Sequence, residues 1–209
     1  QLTIGYRMQH EPNTQQIMRW AKELPLGKIK HISAAAGYRD NRTDHWKMNK
    51  KLGGGAMYDM GVYPLNGIRY SAGSEPVMVT QAKQSTTRPE IFSEVDETTE
   101  FTLEFANGII ANGMTSLGQG VNNLQVDTAK GSYGLEPFSS YSGIKGSASN
   151  GTKFDAVIPN QQARQMDDDA LAIKNGTAPM VPGEEGWRDI RIVEAIYKAA
   201  ATGQSVALD

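Results

Sequence analysis

Within the stretch GGGAMYDMGVYPLNG (Gly53–Gly67), Asp59 and Tyr63 stand four positions apart. That spacing places both on one face of a helix, if a single helix spans them. A tyrosine can donate a proton or hydrogen bond to a substrate oxygen, and a nearby carboxylate can orient a hydroxyl or a water. A phenol is a poor base near neutrality until a cation lowers its pKa from about 10. No obvious cation is built into this helix, so one would have to come from elsewhere. The same residues also fit a plainer role, with Asp59 as a dipole-favoured cap and Tyr63 as a core-edge residue. Residue type and spacing leave both readings open.

The remaining inventory is poor in alternatives. His10, His31 and His45 are scattered without ligand spacing, so no metal site is expected. Asp167–Asp169 are consecutive, and on a helix such residues point about 100° apart, so they cannot converge on one ion. They read as a solvated, helix-capping acidic face. There is no G-x-S-x-G elbow, no P-loop and no G-x-G-x-x-G opening a helix after a strand. The absence of cysteine excludes disulfides and thiolate chemistry and is compatible with cytoplasm and periplasm alike, leaving the compartment unknown. A formal charge of −2 with no basic cluster argues against nucleic acid, and no apolar run approaches the ~20 residues of a membrane span. The opening QLTIGYRMQ carries neither an initiator Met nor a signal peptide and reads like the middle of a longer protein.

The elements that must position these residues follow from periodicity. Thr3–Met8 alternates like a strand, and Thr14–Leu24 carries a helical stripe of Ile17, Trp20, Ala21 and Leu24. Lys28–Arg39 reads as a strand with a small-residue middle, Asp40–Gly55 as a long polar excursion, and Gly55 to about Tyr70 as a helix in which Pro64 either sits in the first turns or makes a kink. Strands are predicted at Pro76–Lys83, Glu97–Ala106 and Ile109–Leu117, the last two joined by Asn107-Gly108. Asn123–Pro137 repeats the pattern around Lys130-Gly131, and two weak strands are expected between Tyr141 and Pro159. Helices close the chain at Gln161–Lys174 and Glu184–Thr202, the latter with an apolar stripe of Trp187, Ile190, Val193, Tyr197 and Ala200. Segregated strands and helices predict one α+β domain over residues 1–209, an open, predominantly antiparallel sheet with helices on one face.

At this point the residues carry a resemblance. LGGGAMYDMGVYPLNGIRYSAGSEP resembles the signature of the glucose–fructose oxidoreductase / inositol dehydrogenase / MocA-type oxidoreductases, in their C-terminal domain. Gly53, Gly54, Gly55, Asp59, Gly61 and Tyr63 match its G-G-G-x-x-x-D-x-G-x-[HY] pattern. GYRMQHEP, HWKMNKKLGGG and PGEEGWRDIRIVEAIYKAAATGQSVAL agree in order and spacing. Tyrosine at the last motif position, with YPLNGIRY, looks most like the glucose–fructose oxidoreductase branch.

The resemblance implies a two-domain subunit whose N-terminal Rossmann domain binds NADP or NAD and supplies a lysine from an E-K-P motif. Neither that motif nor a dinucleotide fingerprint is in this sequence. It implies hydride transfer between nicotinamide and a carbinol carbon of a sugar or polyol. Tyr63 would be the acid/base and Asp59 would hold an adjacent hydroxyl, with Tyr6, Arg7, Trp46 and Lys47 lining the substrate cleft. Lys47 stands where the family often has arginine, which loses a bidentate fork. It further implies a homodimer or homotetramer through the sheet face, and a chain inactive without its nucleotide domain. The plain readings keep Trp46 as a loop anchor, Arg7 as a surface ion pair and Tyr6 as strand packing. The alternative from another class is a sheet-based oligomerisation or carbohydrate-binding module with no chemistry of its own.

Overall fold

A computed structural model describes residues 1–208. Its spine is one nine-stranded sheet. In chain order the strands are β1 (Ile29–Gly37), β2 (Pro76–Ser85), β3 (Thr98–Phe105), β4 (Ile110–Ser116), β5 (Val121–Thr128), β6 (Gly131–Leu135), β7 (Gly146–Ala148), β8 (Lys153–Phe154) and β9 (Val206–Ala207). The spatial order is β8-β7-β6-β5-β1-β4-β3-β2-β9. Every neighbouring pair is antiparallel except β1 with β4, where His31 to Gly37 lie beside Ile110 to Ser116 in parallel. The α+β architecture expected from the sequence is the one observed.

Five helices join it: α1 (Pro12–Glu23), α2 (Ala56–Asp59), α3 (Val62–Ala72), α4 (Gln161–Asn175) and α5 (Gly183–Thr202). Alternate strand residues such as Ile32, Ala34, Leu103, Ala111 and Val126 are buried with Leu65 and Ile68 of α3 and with Val193 and Ile196 of α5. Small residues on β1 let α3 pack closely there. The opposite face shows Ser33, Thr102, Asn112 and Gln125, half-buried or exposed. Pro12 opens α1, and the buried Glu11 carboxylate accepts from Thr14 N at 2.9 Å, satisfying an otherwise unpaired amide.

Four local expectations change. Thr3 makes only an isolated bridge to Pro182, and Arg7–His10 is a 3₁₀ turn rather than strand. The chain turns there because Arg7 is drawn inward, where its guanidinium finds the Ser139 and Ser140 carbonyls and the Gln161 side chain. The Gly55–Tyr70 helix is two helices. A Cβ on Gly61 would stand 2.4 Å from the Met57 carbonyl, and α3 restarts at Val62 with Pro64 in its first turn. On α5 the buried face is Asp189, Ile192, Val193, Ile196 and Ala199, whereas Trp187 is 59% exposed and Ile190 43%. The aspartate run lies mid-helix in α4 and is not a simple solvated cap, because Asp168 bonds the buried His10 Nδ1 at 2.8 Å.

The three glycines that enter α2 do different jobs. Gly53 has φ +77° in open space. A Cβ on Gly54 would fall 2.3 Å from the Lys47 carbonyl oxygen. Gly55 has φ +111°, and its Cβ would meet Asp96 Oδ1 at 2.3 Å. Gly55→Ala is therefore expected to lower unfolding free energy by about 1–3 kcal/mol, whereas Gly53→Asn should be near neutral because Asn tolerates left-handed backbone. Equal denaturant midpoints for the two variants would contradict this division.

Candidate active site

Asp59 ends α2 and Tyr63 is the second residue of α3, so the break at Met60–Gly61 turns them toward different partners. No single unbroken helix carries both, although their spacing implies one. Two adjoining clusters replace it.

The first cluster surrounds Tyr63. It lines a pocket of about 170 Å³ with Gly5, Tyr6, Arg7, Met8, Asn66, Tyr141 and Gln162. The Arg7 guanidinium lies 3.7 Å from the Tyr141 ring centroid and 6.0 Å from that of Tyr63. The cation expected to come from elsewhere is thus partly supplied within the chain. Burial, then the hydrogen bond with Tyr141, pushes the Tyr63 phenol up to about 12 despite Arg7. The same hydrogen bond, then Arg7, holds the more exposed Tyr141 below its ordinary value.

Tyr6 is set by what lies beneath it. Its hydroxyl bonds Asp189, which is fully buried and also accepts from Asn66 Nδ2 and Arg69 Nη1, each at 2.6 Å. Arg69 further pairs with Glu75 at 2.7 Å and Glu185 at 3.0 Å. Burial, with Asp189 adding to it, raises the Tyr6 phenol well above the usual range. Burial likewise raises the Asp189 carboxyl, against Arg69 and its other donors. One buried ion cluster therefore links Tyr6, α3 and α5.

The second cluster surrounds Asp59. Lys47 Nζ contacts Asp59 Oδ1 at 2.7 Å and Oδ2 at 2.8 Å, and donates to Tyr38 Oη at 2.9 Å. Tyr38 Oη lies 3.0 Å from Asp59 Oδ2 and 3.2 Å from Asp40 Oδ2. Arg42, hydrogen-bonded to Asp40, holds that carboxyl well below the carboxylate range. Trp46 is 47% exposed; Lys47 Nζ lies 5.7 Å from its ring centroid, and it is not among the residues lining the Tyr63 pocket.

Sequence reasoning missed Tyr38, Asn66, Tyr141 and Asp189. For Asn66 and Asp189 a signal existed: polar residues at the buried phase of a helix require buried partners. Tyr38 ends a strand and Tyr141 sits in a serine-rich loop, and neither has a periodic mark.

The chain's own residues do not fit a dinucleotide. Among the described residues neither partner of the parallel pair, β1 or β4, runs into a helix. The glycine-rich entry to α2 already faces a carboxylate, since Asp96 Oδ2 accepts from Met57 N at 2.9 Å. A phosphate there would meet like charge.

Residues 14–133 match the GFO/IDH/MocA C-terminal domain family. Aldose–aldose oxidoreductase from Caulobacter crescentus, solved with glycerol, is 33% identical with a TM-score of 0.93 over 99% of this chain and 64% of its own. D-xylose 1-dehydrogenase [NADP(+)] of Haloarcula marismortui is 29% identical over all of this chain and 60% of its own length. Levoglucosan dehydrogenase, solved with NADH and levoglucosan, shares the fold at a TM-score of 0.82 and 15% identity. The chain thus spans under two thirds of these proteins.

Tyr141 should be the first of the cleft phenols to ionise, because burial raises Tyr6 and Tyr63. In ultraviolet tyrosinate titration, Tyr63→Phe removes the hydrogen bond that lowers Tyr141 and should shift the earliest step to higher pH. Tyr141→Phe should abolish that step. An onset unchanged in both variants would show that the pair is not coupled.

Proposed function

We propose that this chain, which belongs to the GFO/IDH/MocA oxidoreductase family, is the sugar-binding domain of an NAD(P)-dependent aldose or polyol oxidoreductase. The observation that carries the reading is the convergence of Tyr6, Arg7, Tyr63 and Tyr141 on one pocket, with the paired Asp59 at the adjoining helix end. At about 170 Å³ that pocket is smaller than the roughly 300–1,000 Å³ of ligand sites. In this reading a nucleotide-binding domain outside the chain closes it and holds NADP or NAD. The nicotinamide would exchange a hydride with a carbinol carbon of the sugar.

The chain's own residues do the rest. Tyr63 Oη bonds the reacting oxygen and gives it a proton when a carbonyl is reduced, or takes one when an alcohol is oxidised. The proton-donating direction suits a buried phenol held near 12. The oxidative direction needs a further cation, and a lysine from the second domain is the group the resemblance implies. Asp59 accepts a hydrogen bond from a neighbouring hydroxyl, while Tyr6 and Arg7 bound the far wall. Trp46, exposed beside Lys47, offers a ring face to the sugar's C–H surface.

The open sheet face carries a hollow of about 710 Å³ over Ser33, Thr102, Asn112 and Met114. It lacks the acid–base residues of the cleft, and in this reading a second copy covers it in a dimer or tetramer. Met114→Glu should drop the sedimenting species by one association step; an unchanged mass would remove this interface.

In the full-length protein, Tyr63→Phe should lower turnover with D-xylose and NADP by about 10²-fold or more while leaving cofactor affinity nearly unchanged. Equal turnover in variant and wild type would sink the assignment. The present chain alone should give none.

A further inference from the structure

We propose that Lys47 and Tyr38 are positioning residues that aim the Asp59 carboxylate at the substrate, an inference that rests on the reading of Asp59 as a hydroxyl acceptor. An ammonium has three donors and no acceptor. Lys47 donates to Asp59 Oδ2 at 2.8 Å and Tyr38 Oη at 2.9 Å, and its ammonium lies 2.7 Å from Asp59 Oδ1. The frame commits two of its donors. Lys47 therefore acts through Asp59 rather than as the substrate ligand expected from sequence.

Tyr38 completes the frame. Its oxygen accepts from Lys47, and its single proton faces Asp59 Oδ2 at 3.0 Å and Asp40 Oδ2 at 3.2 Å. Asp40 is already held by Arg42 Nε at 2.9 Å and 3.2 Å from its two oxygens. A carboxylate offers about four lone-pair directions. Lys47 and Tyr38 both donate to Asp59 Oδ2, while Oδ1 has only the ammonium lying against it. Oδ1 is therefore the oxygen with acceptor capacity to spare, and it is oriented by the frame.

The glycine motif builds this frame directly. Gly55 N donates to the Lys47 carbonyl at 2.9 Å, and Gly54 lies so close to that carbonyl that a Cβ would overlap it. His45 caps the turn that carries Lys47. The backbone of Lys47 and the entry to α2 are therefore one rigid piece, and the Lys47–Asp59 pair spans it. Side-chain exposures of 18% for Lys47 and 11% for Asp59 keep the pair shielded while one edge reaches solvent.

The test is steady-state kinetics of the full-length protein with D-xylose and NADP, in a double-mutant cycle. Lys47→Met should raise the sugar KM by about tenfold or more and Tyr38→Phe by a few-fold, as expected for losing a charge-assisted and a neutral hydrogen bond. The KM for NADP should stay within about twofold, below the loss of one hydrogen bond. Lys47→Arg, which can still grip both oxygens of Asp59, should recover most of the loss. In an Asp59→Asn background neither substitution should add further to KM. If Asp59→Asn alone changes neither KM nor kcat, the assigned role of Asp59 is wrong. If Asp59→Asn is damaging but Lys47→Met and Tyr38→Phe multiply its effect, the positioning role is overturned and the reading of Asp59 stands. Urea unfolding of the same cycle reads the contact without activity, and zero coupling between Lys47→Met and Asp59→Asn would also overturn it.

Discussion

The Asp96 carboxylate is the joint on which the rest of the site turns. Its Oδ2 accepts from Met57 N at 2.9 Å and Thr99 Oγ1 at 2.7 Å, and its Oδ1 from Tyr197 Oη at 2.8 Å. Its backbone oxygen takes Ala56 N at 3.0 Å. A four-residue helix is far too short to stand on its own hydrogen bonds, so α2 exists because this one residue supplies acceptors for its leading amides. Gly55 is the consequence: only a residue without a side chain can pass so close to the carboxylate. Since β3 provides Thr99 and α5 provides Tyr197, the same interaction pins the glycine turn to sheet and helix layer together.

A second constraint fixes the other half of the cleft. Arg69 and Asp189 are both buried, and each satisfies the other while reaching further partners on three segments. Such a cluster adds little net stability compared with apolar packing, yet removing one partner strands a buried charge at a cost of about 3–5 kcal/mol. Its value is therefore geometric. It sets the relative position of α3 and α5, and through Asp189 it sets the hydroxyl of Tyr6. Tyr63 rides on α3 and inherits that position.

The layout of the sheet was legible because its signals are local. Alternation marked the strands, Asn107-Gly108 marked the β3–β4 hairpin, and Pro182 and Gly203 marked both ends of α5. What failed was whatever depended on a buried polar contact. The apolar stripe read from the 3.6 period ran through Trp187 and Ile190, whereas the buried face includes the polar Asp189. Arg7, taken as strand or surface, is buried by carbonyls more than a hundred positions away in sequence. At the site, the motif singled out Asp59 and Tyr63 but carried no mark of Tyr38 or Tyr141. A spacing of four implies a common face only while the helix continues, and here α2 ends at Asp59 before α3 starts at Val62.

In the proposed reading, the electrostatics of the two clusters account for a site divided between two domains. Around Tyr63 the dominant effect is burial, which holds protons on phenols and outweighs the field of Arg7, a cation placed closer to Tyr141. Around Asp59 the geometry differs. Its cation, Lys47, is in direct contact and also donates to Tyr38. The chain thus arrives with one group that keeps its proton and one that accepts hydrogen bonds. A Tyr63 that also takes protons requires a lowered phenol, and that requires positive charge nearer its oxygen than Arg7 stands. In the proposed reading, placing that charge on a separate surface, brought up only when the cleft closes, would couple proton abstraction to the presence of everything else the reaction needs. A lysine fixed beside Tyr63 within this chain would instead leave a charged base facing open water, where solvent would screen its effect before any substrate arrived.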